Sequence, residues 1–530
     1  MKTASAAAAE DALWLPKYNP WLIGIVVAMA AFMEVLDTSI ANVALPHIAG
    51  DLAASNSQST WVLTSYLVAN AIVLPISGWL VGLFGRKRFF LVCIICFTLS
   101  SVACGMAVSL PMLLVFRVLQ GAFGGGLQPM AQAILADTFP PHKRGLALAL
   151  YGVTAITAPI IGPVLGGWLT DNYSWRWVFY INIPVGILTV ALVYLIVEDP
   201  PYLARIKNSL ANFDYIGLSL LTVGIGSLQV FLDKGQELDW FGSPFITTLA
   251  ISAAVCLVSL VVWEWRHEHP IVEVRLLRNR NFAVSNVMML MLGLVMFSSA
   301  VLMPQFMQTL MGYTAEQSGL VMTGGAIVML FMMGLVGPLT TQLQARSMAA
   351  FGWLTMAIGM YLSIRGMDLQ LDFGSASILR VFQSVPLPFL FVPISLVAYV
   401  GLPKEKNNAA SGITNFMRNI GMSIGTSVVS TVVARRAQFH QSILVQHTGS
   451  AQFRNSAMGL SMQLHSAGLG MHKAQTQAVG RLYLAIQAQA MALSYIDVYW
   501  MLTIVSAVLF LLSFALAKND PGKGESVPMH

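Results

Sequence analysis

Two acidic residues, Glu34 and Asp37, lie in a stretch from Trp21 to Pro46 that has no other charge. In a membrane-spanning helix each carboxylate costs about 2.5–3.5 kcal/mol, so we expect it to face a cavity or a partner. The i, i+3 spacing puts both acids on one helix face, where two ionised carboxylates repel. At least one should therefore exchange a proton near neutral pH, which indicates proton-coupling chemistry. The alternative is that one acid is only a structural hydrogen-bond partner.

Arg117 is a second candidate for proton coupling, because its permanently charged guanidinium can pair with a carboxylate on the first span. Protonation of that carboxylate would weaken the attraction between the two helices. The alternative is a static ion pair. Other polar side chains in apolar segments are candidates for lining a substrate cavity: Thr38, Asn42, Gln120, Gln383, Asn415 and Arg418.

Small residues at four-residue spacing predict close helix packing, and prolines inside a helix remove backbone donors and allow bending. Both features fit an interface at which helices move against each other. The residues assigned to gating and packing are Gly78, Gly85, Arg86, Gly121, Pro159, Gly162, Pro163 and Gly166.

The composition indicates that these residues are positioned by membrane helices. Of 530 residues, 56% are hydrophobic and only 10% are charged, whereas soluble domains have about 25% charged residues. Apolar runs long enough to span a bilayer recur along the chain. The predicted spans are 21–43, 61–83, 89–109, 112–134, 146–168, 177–197, 214–232, 244–264, 282–303, 317–338, 348–366, 378–400, 409–433 and 498–517.

Lys and Arg alternate between the predicted loops, which sets the orientation of the spans. Loops on one side contain Arg86, Arg144 and Arg346, whereas the opposite short loops contain little beyond Arg176, Lys234 and Arg365. This alternation predicts that both termini are cytoplasmic. The net charge of +6 therefore reflects membrane topology and does not imply nucleic-acid binding.

An internal repeat predicts two related halves. RVLQG at 117–121 and RVFQS at 380–384 are 263 residues apart, and the same interval relates Gly162 to Gly425. Repeats of this kind are typical of transporters with a site between the halves. We therefore predict an all-α membrane fold with a tail at 1–20, a six-helix half at 21–200, a two-helix insertion at 201–281, a second half at 282–517 and a tail at 518–530.

A long outer segment at about 434–497 interrupts the second half and contains five basic residues. Its stretch at 474–495 has the composition of an amphipathic helix. Two interpretations stay open: a helix that lies on the membrane or covers the transporter mouth, or a docking surface for a partner.

Four motifs together resemble the fourteen-helix drug:proton antiporters of the major facilitator superfamily, the EmrB/QacA type, with EmrB the nearest group. The resemblance covers essentially the whole chain. The motifs are LDTSIANVALP, GWLVGLFGRKR, RVLQG and APIIGPVLGG. One departure is that Gly82 and Leu83 stand where the superfamily usually has an acid and a base. A gate built on that acid is therefore not expected to operate in this chain.

The resemblance implies proton-driven multidrug efflux in a bacterial inner membrane, with no cofactor beyond the proton gradient. Asp37 and Arg117 match positions that the family uses for coupling. The expected partners are small-molecule substrates, protons and membrane lipid, with a periplasmic adaptor and an outer-membrane channel implied for the EmrB group. A dedicated exporter of one metabolite or toxin fits equally well.

Other function classes are disfavoured by the motifs. The chain has no GxxxxGK[ST] P-loop, which argues against an ATP-driven pump. His47 and Asp51 could suggest a membrane acyltransferase, but no nucleophile or metal cluster accompanies them. A sensor or scaffold would not need paired intramembrane acids.

Overall fold

The computed structural model describes residues 16–140, 143–200, 213–446 and 451–517, and this part of the chain forms helices and no strands. Short helices and 3-10 turns join the long ones. The long helices are α1 Pro20–Asp51, α2 Trp61–Phe84, α3 Arg86–Gly105, α4 Leu110–Thr138, α5 Arg144–Asn172, α6 Trp177–Ile196, α7 Tyr215–Lys234, α8 Pro244–Arg266, α9 Arg280–Leu310, α10 Ala315–Leu339, α11 Ala345–Gly366, α12 Phe373–Ala398, α13 Asn407–Gln446, α14 Ala451–Ser466 and α15 Met471–Leu512.

The predicted all-α membrane fold is confirmed. Thirteen of the described helices, α1 to α12 and α15, are long and apolar enough to cross a membrane. Helix α13 is more polar, but it packs against α2, α9 and α15, and its polar residues Asn415 and Arg418 are buried. A helix surrounded by other helices can keep polar side chains away from lipid. With α13 the bundle has the fourteen expected spans.

Helix α4 is one span built from two segments, Leu110–Gly124 and Leu127–Thr138. At the junction, a Cβ on Gly125 would lie 2.7 Å from the backbone oxygen of Asn70 in α2. Glycine is therefore needed for the close approach of α2. The break lets α4 present Arg117 on one segment and Gln128 on the other.

The two halves repeat one helix contact. In the first half α5 packs along α1, and a Cβ on Gly162 would lie 2.2 Å from Ser39 Oγ. In the second half α13 packs along α9, and a Cβ on Gly425 would lie 2.9 Å from Ser298 Oγ. The glycines that are 263 residues apart in the sequence therefore occupy corresponding places.

The halves meet near the end of the bundle that carries Arg86 and Arg346, here named the inner end. The sequence predicts that this end faces the cytoplasm. A Cβ on Gly78 of α2 would lie 2.7 Å from Ala409 Cα of α13. A Cβ on Gly145 of α5 would meet Thr340, just beyond the end of α10. These contacts close the seam at the inner end.

The inserted hairpin of α7 and α8 packs beside this seam. Helix α7 contacts α2 and α13, which belong to different halves. Asp233 accepts a hydrogen bond from Thr64 of α2, and Gln229 donates one to Ser423 Oγ of α13 at 2.9 Å. The hairpin therefore joins the two halves from the side.

The outer segment is mostly helical where the structure describes it, and the stretch at 474–495 lies within a helix. Helix α13 continues to Gln446 and α15 already begins at Met471, so both extend past the predicted span ends. Asp497 of α15 fixes the two extensions, because Arg436 Nε lies at 2.5 Å and His440 Nε2 at 2.7 Å from its Oδ2 atom. We name residues 434–446, 451–466 and 471–497 the outer helical unit.

Candidate functional site

The central ion pair of the first half joins Asp37 of α1 to Arg117 of α4. Arg117 Nη1 lies 2.6 Å from Asp37 Oδ2, and both side chains are fully buried. A charge-assisted hydrogen bond of this length is among the strong ones in proteins. The two sequence-predicted coupling residues are therefore brought into direct contact.

Two amide side chains complete the hydrogen bonding of Asp37. Gln120 Nε2 and Asn182 Nδ2 each donate to Asp37 Oδ1 at 2.8 Å. Asn182 also donates to Ser101 Oγ at 3.0 Å. These amides orient the carboxylate and satisfy its second oxygen. Asn182 is not among the sequence-predicted site residues, although it is the one amide in the apolar stretch FYINIPVG.

Arg117 is held by α2 as well as by Asp37. Its Nε donates to the backbone oxygen of Val62 at 3.1 Å, and its guanidinium carbon lies 4.3 Å from the ring centre of Tyr66. Its Nη2 has no hydrogen-bond partner within the described ranges. Arg117 therefore links α1, α2 and α4, and only the link to α1 depends on a titratable group.

Glu34 has a different set of hydrogen-bond partners from Asp37, although both acids lie on one face of α1. Asn70 Nδ2 donates to Glu34 Oε1 at 2.9 Å and the Tyr66 hydroxyl lies 3.4 Å from the same oxygen. Gln128 of α4 donates to the other oxygen, Oε2. Although the two acids are three residues apart, each has its own hydrogen-bond network. Tyr66 contacts both networks, because its hydroxyl lies near Glu34 and its ring lies under the guanidinium of Arg117.

The Glu34 network crosses from the first half to the second. Arg418 of α13 donates to the oxygen of the same Gln128 side chain that binds Glu34. Tyr151 of α5 donates to that oxygen at 3.0 Å and lies 3.4 Å from Asn415. The amide of Asn415 in turn donates to Gln132 Oε1 at 2.6 Å. Arg418 and Asn415, predicted to line the cavity, thus lie at the contact between the halves.

A second ion pair lies at the inner end. Arg86 Nη1 is 2.5 Å from Asp137 Oδ2, with side chains 1% and 2% exposed. Asn407 of α13 donates to the other Asp137 oxygen at 2.7 Å. Gly82 cannot supply the acid that the superfamily usually has at that position, and the acid that contacts Arg86 here is Asp137. Asp137, which sequence reasoning missed, supplies an acid from the end of α4.

The second half has an arginine in the position that corresponds to Arg117. Arg380 of α12 is 8% exposed, and its Nη1 donates to Gln383 Oε1 at 3.2 Å. Gln383 Nε2 donates to Ser363 Oγ at 2.7 Å and lies 3.4 Å from the Tyr499 hydroxyl. Gln383 is itself fully buried. Its side chain therefore spans α11, α12 and α15.

The remaining cavity candidates have local roles. Thr38 Oγ1 donates to the backbone of Val35 in its own helix at 2.8 Å, and Asn42 is exposed near the outer end of α1. A cavity of about 450 Å³ lies between α9 and α13 and is lined by Gln305, Gln308 and Thr426 among others. The predicted site residues do not line it.

The glycine and proline candidates explain how α5 fits against α1. Pro163 has no N–H to donate to the Pro159 carbonyl, and Ser39 Oγ donates to that oxygen at 3.3 Å instead. A Cβ on Gly166 would lie 3.1 Å from Ile40 Cγ2. Gly121 plays the same packing role in α4, where a Cβ would lie 2.3 Å from the backbone oxygen of Tyr66 in α2.

Gly85 has a conformational role at the inner end. Its φ of 81° is in the region that favours glycine, and it ends α2 immediately before Arg86 begins α3. The sharp turn directs Arg86 back toward Asp137. Across the described ranges, no cluster of three or more His, Cys, Asp or Glu side chains is placed to hold a metal ion.

The chain is similar to known transporters over most of its length. The model of the Major Facilitator Superfamily matches residues 27–426. The multidrug export protein EmrB of Escherichia coli K12 is 38% identical over 506 residues, covering 95% of this chain and 96% of that protein. EmrB of Haemophilus influenzae is 36% identical over 482 residues, covering 91% and 92%.

The fold is also found among solved structures. That of the proton:xylose symporter XylE has a TM-score of 0.60 at 16% identity and covers 96% of this chain and 98% of its own. At that identity the likeness concerns the fold. The predicted resemblance to EmrB-type transporters is confirmed by the sequence relatives. The chain therefore belongs to the Major Facilitator Superfamily and is a membrane transporter rather than an enzyme.

Proposed function

We propose that this protein exports hydrophobic or amphiphilic small molecules in exchange for protons by alternating access. The observation that carries this proposal is the fully buried ion pair between Asp37 and Arg117. Burial of two charges is costly, and an intramembrane acid that faces a basic partner is a typical proton site. The names of the EmrB relatives support multidrug export as the direction of transport.

Protonation of Asp37 removes the charge attraction between α1 and α4. Arg117 keeps its bonds to Val62 and Gln120, so it stays with α2 and α4 while α1 is released. The other segment of α4 carries Gln128, which contacts Glu34 and Arg418. A change between α1 and α4 therefore reaches the contact between the two halves.

The inner-end contacts must break when the cytoplasmic side opens. These are the Arg86–Asp137–Asn407 cluster and the close approach of Gly78 to Ala409. A membrane potential of 100 mV supplies about 2.3 kcal/mol for each charge that crosses. That amount is comparable to one or two hydrogen bonds to charged groups, so proton entry can bias which side is open.

The proposal places the protein in a bacterial inner membrane with both termini in the cytoplasm and the outer helical unit in the periplasm. There the unit would bind a periplasmic adaptor that connects to an outer-membrane channel. The unit exposes Met458, Met462 and Leu484 at 60%, 56% and 63%. It also has five basic residues and one acid, Asp497. We expect an adaptor surface with apolar and acidic residues.

Proton movement in vesicles tests the central proposal. Purified protein in liposomes that contain a pH-sensitive dye is exposed to a panel of lipophilic cations, anions and neutral compounds. We expect substrate addition to release protons from acid-loaded vesicles that contain the parent protein and not from vesicles with Asp37→Asn. Equal substrate-dependent proton flux in both would contradict the proposal.

A further inference from the structure

The base of the inserted hairpin contains two buried acids, Asp214 and Glu264, here named the hairpin acid pair. Asp214 immediately precedes α7 and is 3% exposed, and Glu264 lies in the last turn of α8 and is 0% exposed. A Cβ on Gly217 would lie 2.4 Å from Asp214 Oδ2 and 2.8 Å from Glu264 Oε1. The two carboxyl groups therefore converge on one point and are neighbours.

Asp214 has the partners of an ionised carboxylate. Its Oδ1 accepts from the backbone nitrogen of Gly217 at 2.7 Å, and its Oδ2 accepts from Trp263 Nε1 at 2.8 Å. The positive end of the α7 dipole stabilises a negative charge at this capping position. His267 Nε2 lies 4.0 Å from Asp214 Oδ2 and compensates the charge when the ring is protonated. The negative charge of the pair therefore belongs to Asp214.

Glu264 lacks the partners that an ionised carboxylate needs. Its Oε1 accepts one hydrogen bond, from the backbone nitrogen of Val272 at 3.3 Å. Its Oε2 is buried and has no hydrogen-bond partner in the described part of the chain. A second negative charge at this place would be desolvated and would also be repelled by Asp214. Glu264 is therefore suited to the neutral, protonated form.

The cations around the hairpin base have other partners. Arg275 donates from Nε to the backbone oxygen of Trp265 at 3.1 Å and from Nη2 to that of His267 at 2.7 Å. Lys406, just before α13, pairs with Glu273. Within the described ranges, neither member of the hairpin acid pair forms an ion pair with a Lys or Arg side chain. A proton is therefore the ligand that can relieve the repulsion.

Glu264 also holds the loop at 267–279, which joins α8 to α9. The backbone nitrogen that it binds lies in residues 271–274, three of which are apolar and buried in a hydrophobic cluster. The same cluster contains Trp79 of α2 and Ile413 of α13, which belong to different halves, and one titratable side chain, Tyr399. The loop therefore packs against the seam at the inner end.

We propose that the hairpin acid pair is a proton-binding site, separate from Asp37 and Glu34, in which Glu264 carries the proton. Loss of this proton to water at the inner end leaves two adjacent negative charges. Water must then reach Glu264 Oε2, and it can do so only if the loop moves away from the hairpin. The site thus links pH at the inner end to the packing of residues 271–274 against the seam.

Infrared difference spectroscopy of the full chain in nanodiscs detects the proton directly. A protonated carboxyl group has a carbonyl stretch that is separate from the bands of carboxylates. At neutral pH, Glu264→Gln should lose one such band relative to the parent protein, and the band should disappear from the parent as the pH is raised. Glu268→Gln, which changes an exposed acid of the same loop, should leave the band unchanged.

A second variant keeps the test decisive if Glu264→Gln does not fold. Asp214→Asn retains the shape of the side chain and removes the charge that repels a deprotonated Glu264. The pH at which the band disappears should therefore fall by about one unit or more.

Hydrogen–deuterium exchange tests the effect of the proton on the loop. After correction for the intrinsic pH dependence of exchange, residues 271–274 of the parent should exchange several-fold faster at a pH where the band is absent. In Glu264→Gln, which stays neutral, these residues should remain protected at both pH values. Glu268→Gln should behave as the parent does.

Two results would overturn the proposal. One is a carbonyl band that neither folded Glu264→Gln removes nor Asp214→Asn shifts, which would mean that Glu264 is ionised. The other is equal corrected exchange of residues 271–274 with and without the band, which would mean that the proton does not control the loop. Neither measurement involves transport, so the flux of Asp37→Asn vesicles does not affect its interpretation.

Discussion

Arg117 Nη1 lies 2.6 Å from Asp37 Oδ2 inside the membrane part of the bundle. Asp37→Asn preserves the side-chain shape but leaves the guanidinium of Arg117 buried without a counter-charge. We expect loss of proton-coupled transport together with a lower free energy of unfolding, by about 3–5 kcal/mol. Vesicle proton flux and thermal unfolding in detergent measure the two effects.

The double variant Asp37→Asn with Arg117→Gln separates coupling from folding. Removal of both charges should restore much of the thermal stability, because no unpaired charge remains. Proton-coupled flux should stay absent. Recovered flux in the double variant would mean that the ion pair is structural.

Glu34→Gln changes the contact between the halves rather than the pair at Asp37. The substitution removes the negative charge of Glu34 from the hydrogen-bond network that joins it through Gln128 to Arg418. We expect the transport rate to depend less steeply on pH between about 5 and 8, while substrate still binds. Transport measured across this range tests the prediction, with Glu268→Gln, an exposed acid of the inner loop, as the control.

Asp137→Asn should open the inner end of the seam. The change removes the ionic contact with Arg86 and weakens the hydrogen bond from Asn407. A cysteine at the fully buried Ser411, in a chain whose four native cysteines are replaced, should react faster with a water-soluble maleimide. An unchanged labelling rate would show that this cluster does not hold the seam closed.

Gly421→Ala should destabilise the second half. Its Cβ would lie 1.9 Å from the Leu290 backbone oxygen, so α13 and α9 must separate. Overpacking of this kind costs about 1–3 kcal/mol. A fall in the midpoint of thermal unfolding measures the effect. Gly459→Ala, which has open space around it in α14, provides the matched control and should be neutral or slightly stabilising.

Several parts of the site could be predicted from sequence because they follow from local chemistry. An acid in an apolar run must have a partner, and Arg117 was the suitable cation in a neighbouring span. The hydrogen bond from Arg380 to Gln383 joins two residues of one helix that are three positions apart, as does the bond from Arg117 to Gln120. It therefore follows from the RVxQ pattern that the two halves share. Such inferences need only two facts: the bilayer disfavours unpaired charge, and residues three positions apart lie on one face of a helix.

The partners of Glu34 could not be predicted in this way. Gln128 and Arg418 are 290 residues apart and belong to different halves, so their contact depends on how the halves are packed. Hydropathy also does not show that α13 continues to Gln446 or that the outer helix and the last span form one continuous helix from Met471, since polar extensions beyond the membrane carry no hydropathy signal.

The sequence by itself determined that this chain is a membrane helix bundle, that it contains an internal repeat, and that it has acids and arginines within its membrane-spanning segments. These follow from the cost of placing charge and polar backbone in hydrocarbon. Only the tertiary structure decided which acid meets which base, since Asp37 and Glu34 are three residues apart yet have separate partners. The physical reason is that contacts between distant helices are set by the packing of whole helix faces, which sequence spacing does not encode.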